Sequence, residues 1–162
     1  MHLYIMRHGI AVEACDWSGG DNSRPLTPEG ETRTREIVHA LAKSGDLAAD
    51  TLWSSPLTRA LQTAEIVGEA LKLKPQIIPE LACGADLDAL LKAIEKRKEP
   101  LPERLIWTGH EPDCGRIVSE LLGNHKDDHS FKRAGIAHLK GTFAFGGMKL
   151  VWQRQPKDVL KD

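Results

Sequence analysis

Two short apolar runs constrain this chain more than any other feature. Leu3-Tyr4-Ile5 leads into Met6-Arg7-His8-Gly9, and Leu105-Ile106-Trp107 leads into Thr108-Gly109-His110. Short continuous apolar runs that stop at glycine suit buried strands of a parallel sheet, whose two faces are both covered. Around them lie apolar residues at helical spacing: Ile37, Val38 and Leu41; Leu57, Leu61, Ala64, Val67 and Leu71; Leu87, Leu90, Leu91 and Ile94; Ile117, Val118, Leu121 and Leu122. Strands alternating with helices predict an α/β fold, a three-layer α/β/α sandwich around a mostly parallel sheet. Late strand candidates at 135–139, 142–145 and 148–152, with the hairpin signal Gly146-Gly147, add an antiparallel edge near the C-terminus. At 162 residues the chain suits one core, placed in a single domain over 1–155, and the tail 156–162 is expected to fray.

Local signals set the element ends. Thr27-Pro28-Glu29 is a helix start, with a capping hydroxyl, a proline tolerated in the first turn and an acid at the positive end of the dipole. Ser44-Gly45 closes that helix. Ser54 or Ser55 is read as the cap of a helix from Pro56, which puts Arg59 in its first turn. Asp86 caps the next helix, and its charged end, Glu95 to Glu99, reads as a solvated terminus rather than a binding patch. Residues 10–26 are rich in turn formers and read as a long loop, a length more often functional than filler.

Composition narrows the function classes. The net charge of −1 leaves no overall electrostatic footprint for nucleic acid. No apolar run approaches the roughly 20 residues that span a bilayer, and the N-terminus enters a strand without a signal-peptide pattern. Cys15, Cys83 and Cys114 are odd in number and far apart, which suggests neither a disulfide framework nor a thiolate metal site. A cytoplasmic location is the plain expectation. His125 and His129 are four apart, but the polar surroundings of 123–133 read as a loop, and no metal is expected there.

The chemistry gathers at predicted strand ends. In open α/β sheets ligands bind at the carboxyl ends of strands. Arg7, His8, Arg59 and His110 all fall at such ends. A guanidinium fork matches phosphate oxygens, and an imidazole can be nucleophile or base. Arg59 in a helix's first turn opposes the helix dipole, a conflict that a bound anion would remove. Arg24 stands near the end of the long loop and could fold back over the site, and Gly9 lets a ligand approach the backbone closely.

This set resembles the histidine phosphatase superfamily, which includes cofactor-dependent phosphoglycerate mutase. The matching pieces are Met6-Arg7-His8-Gly9, Pro25-Leu26-Thr27-Pro28-Glu29-Gly30, the stretch 54–64 (Ser-Ser-Pro-Leu-Thr-Arg-Ala-Leu-Gln-Thr-Ala), and Gly109-His110. The short length, Arg24-Pro25-Leu26-Thr27 and the stretch 79–86 look most like the SixA-type phosphohistidine phosphatases. The resemblance implies a phosphoglycerate mutase-like fold, a covalent phosphohistidine intermediate on His8, and phosphoryl contacts from Arg7, Arg59 and His110; Arg24 and Gly9 are expected as further substrate contacts from their places in the loop and at the strand end. It implies no metal and no cofactor. In the mutase-like branch a glutamate two residues after a leucine protonates the leaving group. Counting from Leu81, that position is Cys83 here, and Glu80 becomes the candidate proton donor. The expected substrate is therefore phosphohistidine on a signalling protein, such as a histidine phosphotransfer domain, since that leaving group needs less acid help. A small-molecule phosphatase, using Glu80 or Asp86 as acid, and a non-catalytic phosphate-binding module are the alternatives.

Overall fold

The parallel strands β1 (His2–Arg7), β2 (Thr51–Ser54), β3 (Gln76–Ile77) and β4 (Arg104–Gly109) are joined by the antiparallel β5 (Ile136–Gly141) and by β6 (Met148–Arg154). They form one sheet in the order β3-β2-β4-β1-β5-β6 in a computed structural model, which describes residues 1–124 and 126–160. The helices are α1 (Pro28–Ser44), α2 (Thr58–Leu71), α3 (Leu87–Arg97), α4 (Asp113–Leu122) and the short α5 (Pro156–Val159).

Alternation along the strands divides the core in two. Leu3, Ile5, Trp53, Leu105 and Trp107 face the buried residues of α3 and α4, among them Leu87, Leu90, Ile117 and Leu121. Tyr4, Met6, Leu52 and Ile106 face Ile37, Val38, Leu41, Ala64 and Val67 of α1 and α2. Helices therefore cover both faces of a mostly parallel sheet, as the sequence pattern predicts. Thr27 caps α1 by accepting from Gly30 N at 2.9 Å, and Asp86 caps α3 by accepting from Ala89 N at 2.8 Å.

Three expectations differ from the structure. Residues 142–145 are a turn rather than a strand: Thr142 N donates to Gly147 O and Ala144 N to Thr142 O, which closes the connection, while Phe143 turns into the core. The helix after β2 starts at Thr58 rather than Pro56, because Ser55 Oγ accepts from Leu57 N, before the helix begins. The tail does not fray over 156–159. Pro156 takes the first helical position of α5, Gln155 N donates to Asp158 Oδ2 at 2.7 Å, and Val159 and Leu160 pack on the α1–α2 core. Residues 161–162 and His125 lie outside the described residues, so the His125–His129 spacing is not tested. Among the described residues no helix is long and apolar enough to cross a membrane.

Candidate active site

Register brings the site together. Arg7 of β1 pairs with Gly109 of the parallel neighbour β4, and His8 N donates to Gly109 O at 3.0 Å. The two strands therefore end level, and the residues that follow them, His8 and His110, stand with ring centroids 5.3 Å apart. On the other side of β4, Ser55 follows β2 and donates its N–H to Thr108 O at 3.1 Å, so a third strand ends at the same height. The first turn of α2 lies above that end and delivers Arg59, buried to 4% exposure. Arg7, His8, Arg24, Arg59 and His110 line one cavity of about 220 Å³.

The hydrogen bonding of His8 defines its tautomer. Its Nδ1 lies 2.7 Å from Gly9 O, and a carbonyl can only accept, so Nδ1 carries the proton and Nε2 keeps its lone pair. Burial, with the positive charges of Arg59 and Arg7 and the ring of His110 nearby, lowers the His8 pKa from 6.5 to about 3, against the opposing effect of the Gly9 carbonyl. The ring is neutral and unprotonated at Nε2 across the neutral range. Gly9 itself does not line the cavity. It supplies the orienting carbonyl, its N–H donates to Thr63 Oγ1 at 3.1 Å, and a Cβ there would collide with Thr34 Oγ1.

His110 Nε2 lies 2.8 Å from Ser55 Oγ, which already accepts from Leu57 N. With the Ser55 hydroxyl as donor to Nε2, the proton of the neutral ring sits on Nδ1, which is buried and has no partner among the described residues. That N–H suits an anion. Burial, followed by the charge of Arg59, lowers the His110 pKa to about 4.

The arginines are held from behind. Arg7 Nη1 donates to Phe131 O at 2.8 Å. Phe131 N donates in turn to Glu111 Oε2 at 3.0 Å, and Glu111 Oε1 accepts from Gly115 N at 2.7 Å. Glu111 lines the cavity with both oxygens engaged. Arg59 donates from Nη1 to Asp21 O at 2.8 Å and from Nη2 to Asp21 Oδ2 at 3.3 Å. Arg24 Nε donates to Oδ1 of the same carboxylate at 3.0 Å, and its Nη1 to Val12 O at 2.6 Å. The anion that relieves Arg59 of its conflict with the helix dipole is thus an acid from the long loop. The hydrogen bond from Arg24, then the charges of Arg59 and Arg24, hold the Asp21 carboxyl below its usual range.

One sequence assignment is corrected. Glu80 sits in the 3-10 turn Pro79–Leu81 and is not among the residues lining the cavity. The turn sends Leu81 into the core, and the chain comes back to the cavity two residues later with Cys83, whose Sγ is 3.6 Å from Arg59 Nη2. The alternative acid, Asp86, is engaged as the α3 cap. The carboxylates that do line the cavity are Glu13 and Glu111. Neither these nor Arg133 and Asp21 carry a local sequence signal, because each is an ordinary polar residue until the fold brings it to the rim. Among the described residues no group of three or more His, Cys, Asp or Glu side chains is arranged to hold a metal ion.

Known proteins resemble this chain in sequence and in fold. The model of the histidine phosphatase superfamily (branch 1) matches residues 3–112. An uncharacterised protein of Picosynechococcus is 38% identical over 146 residues, covering 89% of this chain and 87% of that protein. The phosphohistidine phosphatase SixA of Escherichia coli is 32% identical over 123 residues, covering 75% of this chain and 74% of that protein. Among solved structures, the protein histidine phosphatase SixA complexed with tungstate superposes with a TM-score of 0.78 at 29% identity, covering 96% of this chain and 97% of that one.

Proposed function

The chain belongs to the histidine phosphatase superfamily and is a phosphatase; within that activity, we propose that it removes the phosphoryl group from phosphohistidine on a protein, with His8 as nucleophile. The observation that carries the choice of substrate is Cys83. It stands beside Arg59 where the mutase-like branch has its proton-donating glutamate, and burial raises its thiol pKa above the ordinary value. A protonated thiol is a weak acid, so an alkoxide leaving group would go poorly served. An imidazole leaving group bears its departing charge far better. The order of magnitude at stake is the 10²–10⁴-fold that positioned acid catalysis contributes.

The chemistry follows from the groups in place. The lone pair on His8 Nε2 attacks phosphorus in line with the substrate P–N bond. That bond breaks with its electron pair going to the substrate imidazole, which takes a proton from solvent. Arg7, Arg59 and the His110 Nδ1–H hold the phosphoryl oxygens and stabilise their charge in the transition state. Water then attacks the phosphorus of phospho-His8, releasing inorganic phosphate and restoring the Nε2 lone pair. The Gly9 carbonyl keeps Nδ1 protonated throughout, which stabilises the imidazole in the reactive orientation.

A second reading, hydrolysis of a small phosphomonoester, is favoured by Glu13, an exposed carboxylate on the cavity wall that would serve a leaving oxygen by turning away from Arg133, 3.4 Å from it. The test compares phosphate release from a phosphohistidine-bearing protein and from an alkyl phosphate, with His8→Ala as control. Release from the protein at a kcat/KM at least about a hundredfold above that on the alkyl phosphate, lost in His8→Ala, supports the first reading. A preference for the alkyl phosphate that is reduced by Glu13→Gln supports the second.

A further inference from the structure

A second cavity opens beside the catalytic one. It measures about 590 Å³ and is lined by Arg7, Arg33, Lys132, Arg133 and Lys157 together with Ile10, Gln155 and Pro156. Five of those eight residues carry a positive charge and none carries a negative one. The molecule as a whole has a net charge of −1, so this is a local concentration of charge rather than a reflection of composition. Arg7 and Arg133 line both cavities, which makes the basic groove a direct extension of the phosphoryl site.

The groove is assembled from three parts of the chain. Arg33 comes from α1, Lys132 and Arg133 from the segment before β5, and Lys157 from α5. The position of α5 depends on Gln155, whose Oε1 accepts from Lys132 N at 2.8 Å, so the capping residue of α5 also ties down the opposite wall. The nearby acids offset only part of the groove's charge. Asp158 caps α5, Glu13 pairs with Arg133 at 3.4 Å on the catalytic side, and Glu29 and Glu36 share a separate depression with Arg33.

Where the substrate is the phosphohistidine-bearing protein proposed above, we propose that this groove docks an acidic segment of that protein next to its phosphohistidine. Lys132, Arg133 and Lys157 are exposed, which suits the solvated carboxylates of a protein surface. A small ligand is ordinarily enclosed over most of its area. Cations placed beside a reaction centre raise encounter rates and fix orientation more than they add to affinity, and salt weakens them.

The test uses two peptides that carry the phosphonate analogue of phosphohistidine, flanked by four glutamates or by four glutamines. Exposed ion pairs of this kind give about a three- to tenfold difference when several act together. The glutamate peptide is expected to bind more tightly by about that factor, with the preference fading as salt rises and vanishing in the triple variant Arg33→Ser, Lys132→Ser, Lys157→Ser. That variant should keep its turnover of a small aryl phosphate, which reports an intact fold and site. The same peptides with plain histidine read the groove independently of the phosphohistidine assignment, so failure of that assignment leaves their preference in place. Equal binding of the two peptides, or a preference that survives in the triple variant, overturns the proposal. Inorganic triphosphate binding that the triple variant loses, without any preference for the glutamate peptide, overturns it in favour of a small polyanion.

Discussion

Cys83 Sγ lies 3.6 Å from Arg59 Nη2 on the wall of the catalytic cavity. A carboxyl group at that position would stand on the cavity wall, where its protonated form could give a proton to a leaving oxygen. Cys83→Glu is therefore expected to raise kcat/KM on an alkyl phosphate by about 10–10²-fold, with little change on phosphohistidine. Cys83→Ser should leave both unchanged. Steady-state kinetics on the two substrates check this, and an equal fall on both in Cys83→Glu would assign Cys83 to packing alone.

Asp21 occupies donors of Arg59 that the proposed mechanism gives to the phosphoryl group. The substrate must displace that carboxylate or share the guanidinium with it. Asp21 is exposed, so the contact is a weak one, on the order of 0.2–1 kcal/mol. Asp21→Asn is expected to tighten inhibition by tungstate or inorganic phosphate by up to about fivefold. Inhibition constants measure it, and weaker inhibition would show that Asp21 positions Arg59 and Arg24 instead of competing at them.

The pH profile should be flat through the acidic range where an ordinary histidine titrates. His8 is lowered to about 3 and His110 to about 4, so the free enzyme keeps His8, the proposed nucleophile, unprotonated well below pH 6. The acid limb of kcat/KM is expected below pH 5, once the substrate's own ionisation is accounted for. A limb at pH 6–7 belonging to the free enzyme would contradict the assignment of a buried neutral His8.

The same burial makes the fold sensitive to acid. His8, His110 and His138 all have folded pKa values below the ordinary 6.5, at about 3, about 4 and about 4. Between pH 6.5 and these values the unfolded chain binds protons that the folded chain refuses, so stability is complete above pH 6.5 and falls as the pH drops toward 4. His138 contributes from outside the site, stacked on Tyr4 and 3.0 Å from His2 Nδ1. Urea midpoints at pH 7 and pH 5 should fall with acid, and His110→Asn should make that fall smaller.

Gly30 tests the packing behind the site. A Cβ at this position in the first turn of α1 would run into the carbonyl of Ile10, two residues past His8, and backbone cannot step aside as a side chain can. Gly30→Ala is expected to cost about 1–3 kcal/mol in urea denaturation, and to lower activity because the collision pushes on the His8 loop. Unchanged stability would mean that α1 shifts freely.

Much of this molecule was legible in the order of its residues. Apolar runs ending in Arg-His-Gly and Gly-His, and a helical pattern that puts Arg59 in the first turn after β2, specify strand ends and residue types, and both depend on local spacing. Parallel strands then bring their carboxyl ends to one edge, so Arg7, His8, Arg59 and His110 could be expected to meet. What only the tertiary structure decided is what meets them through space. Asp21 on Arg59, Cys83 rather than Glu80 in the cavity, Glu111 behind Arg7, and the basic groove shared among α1, α5 and the segment before β5 all depend on how distant segments settle against each other. No spacing within a segment encodes those contacts, because the free energy that selects them comes from packing and desolvation of the whole core.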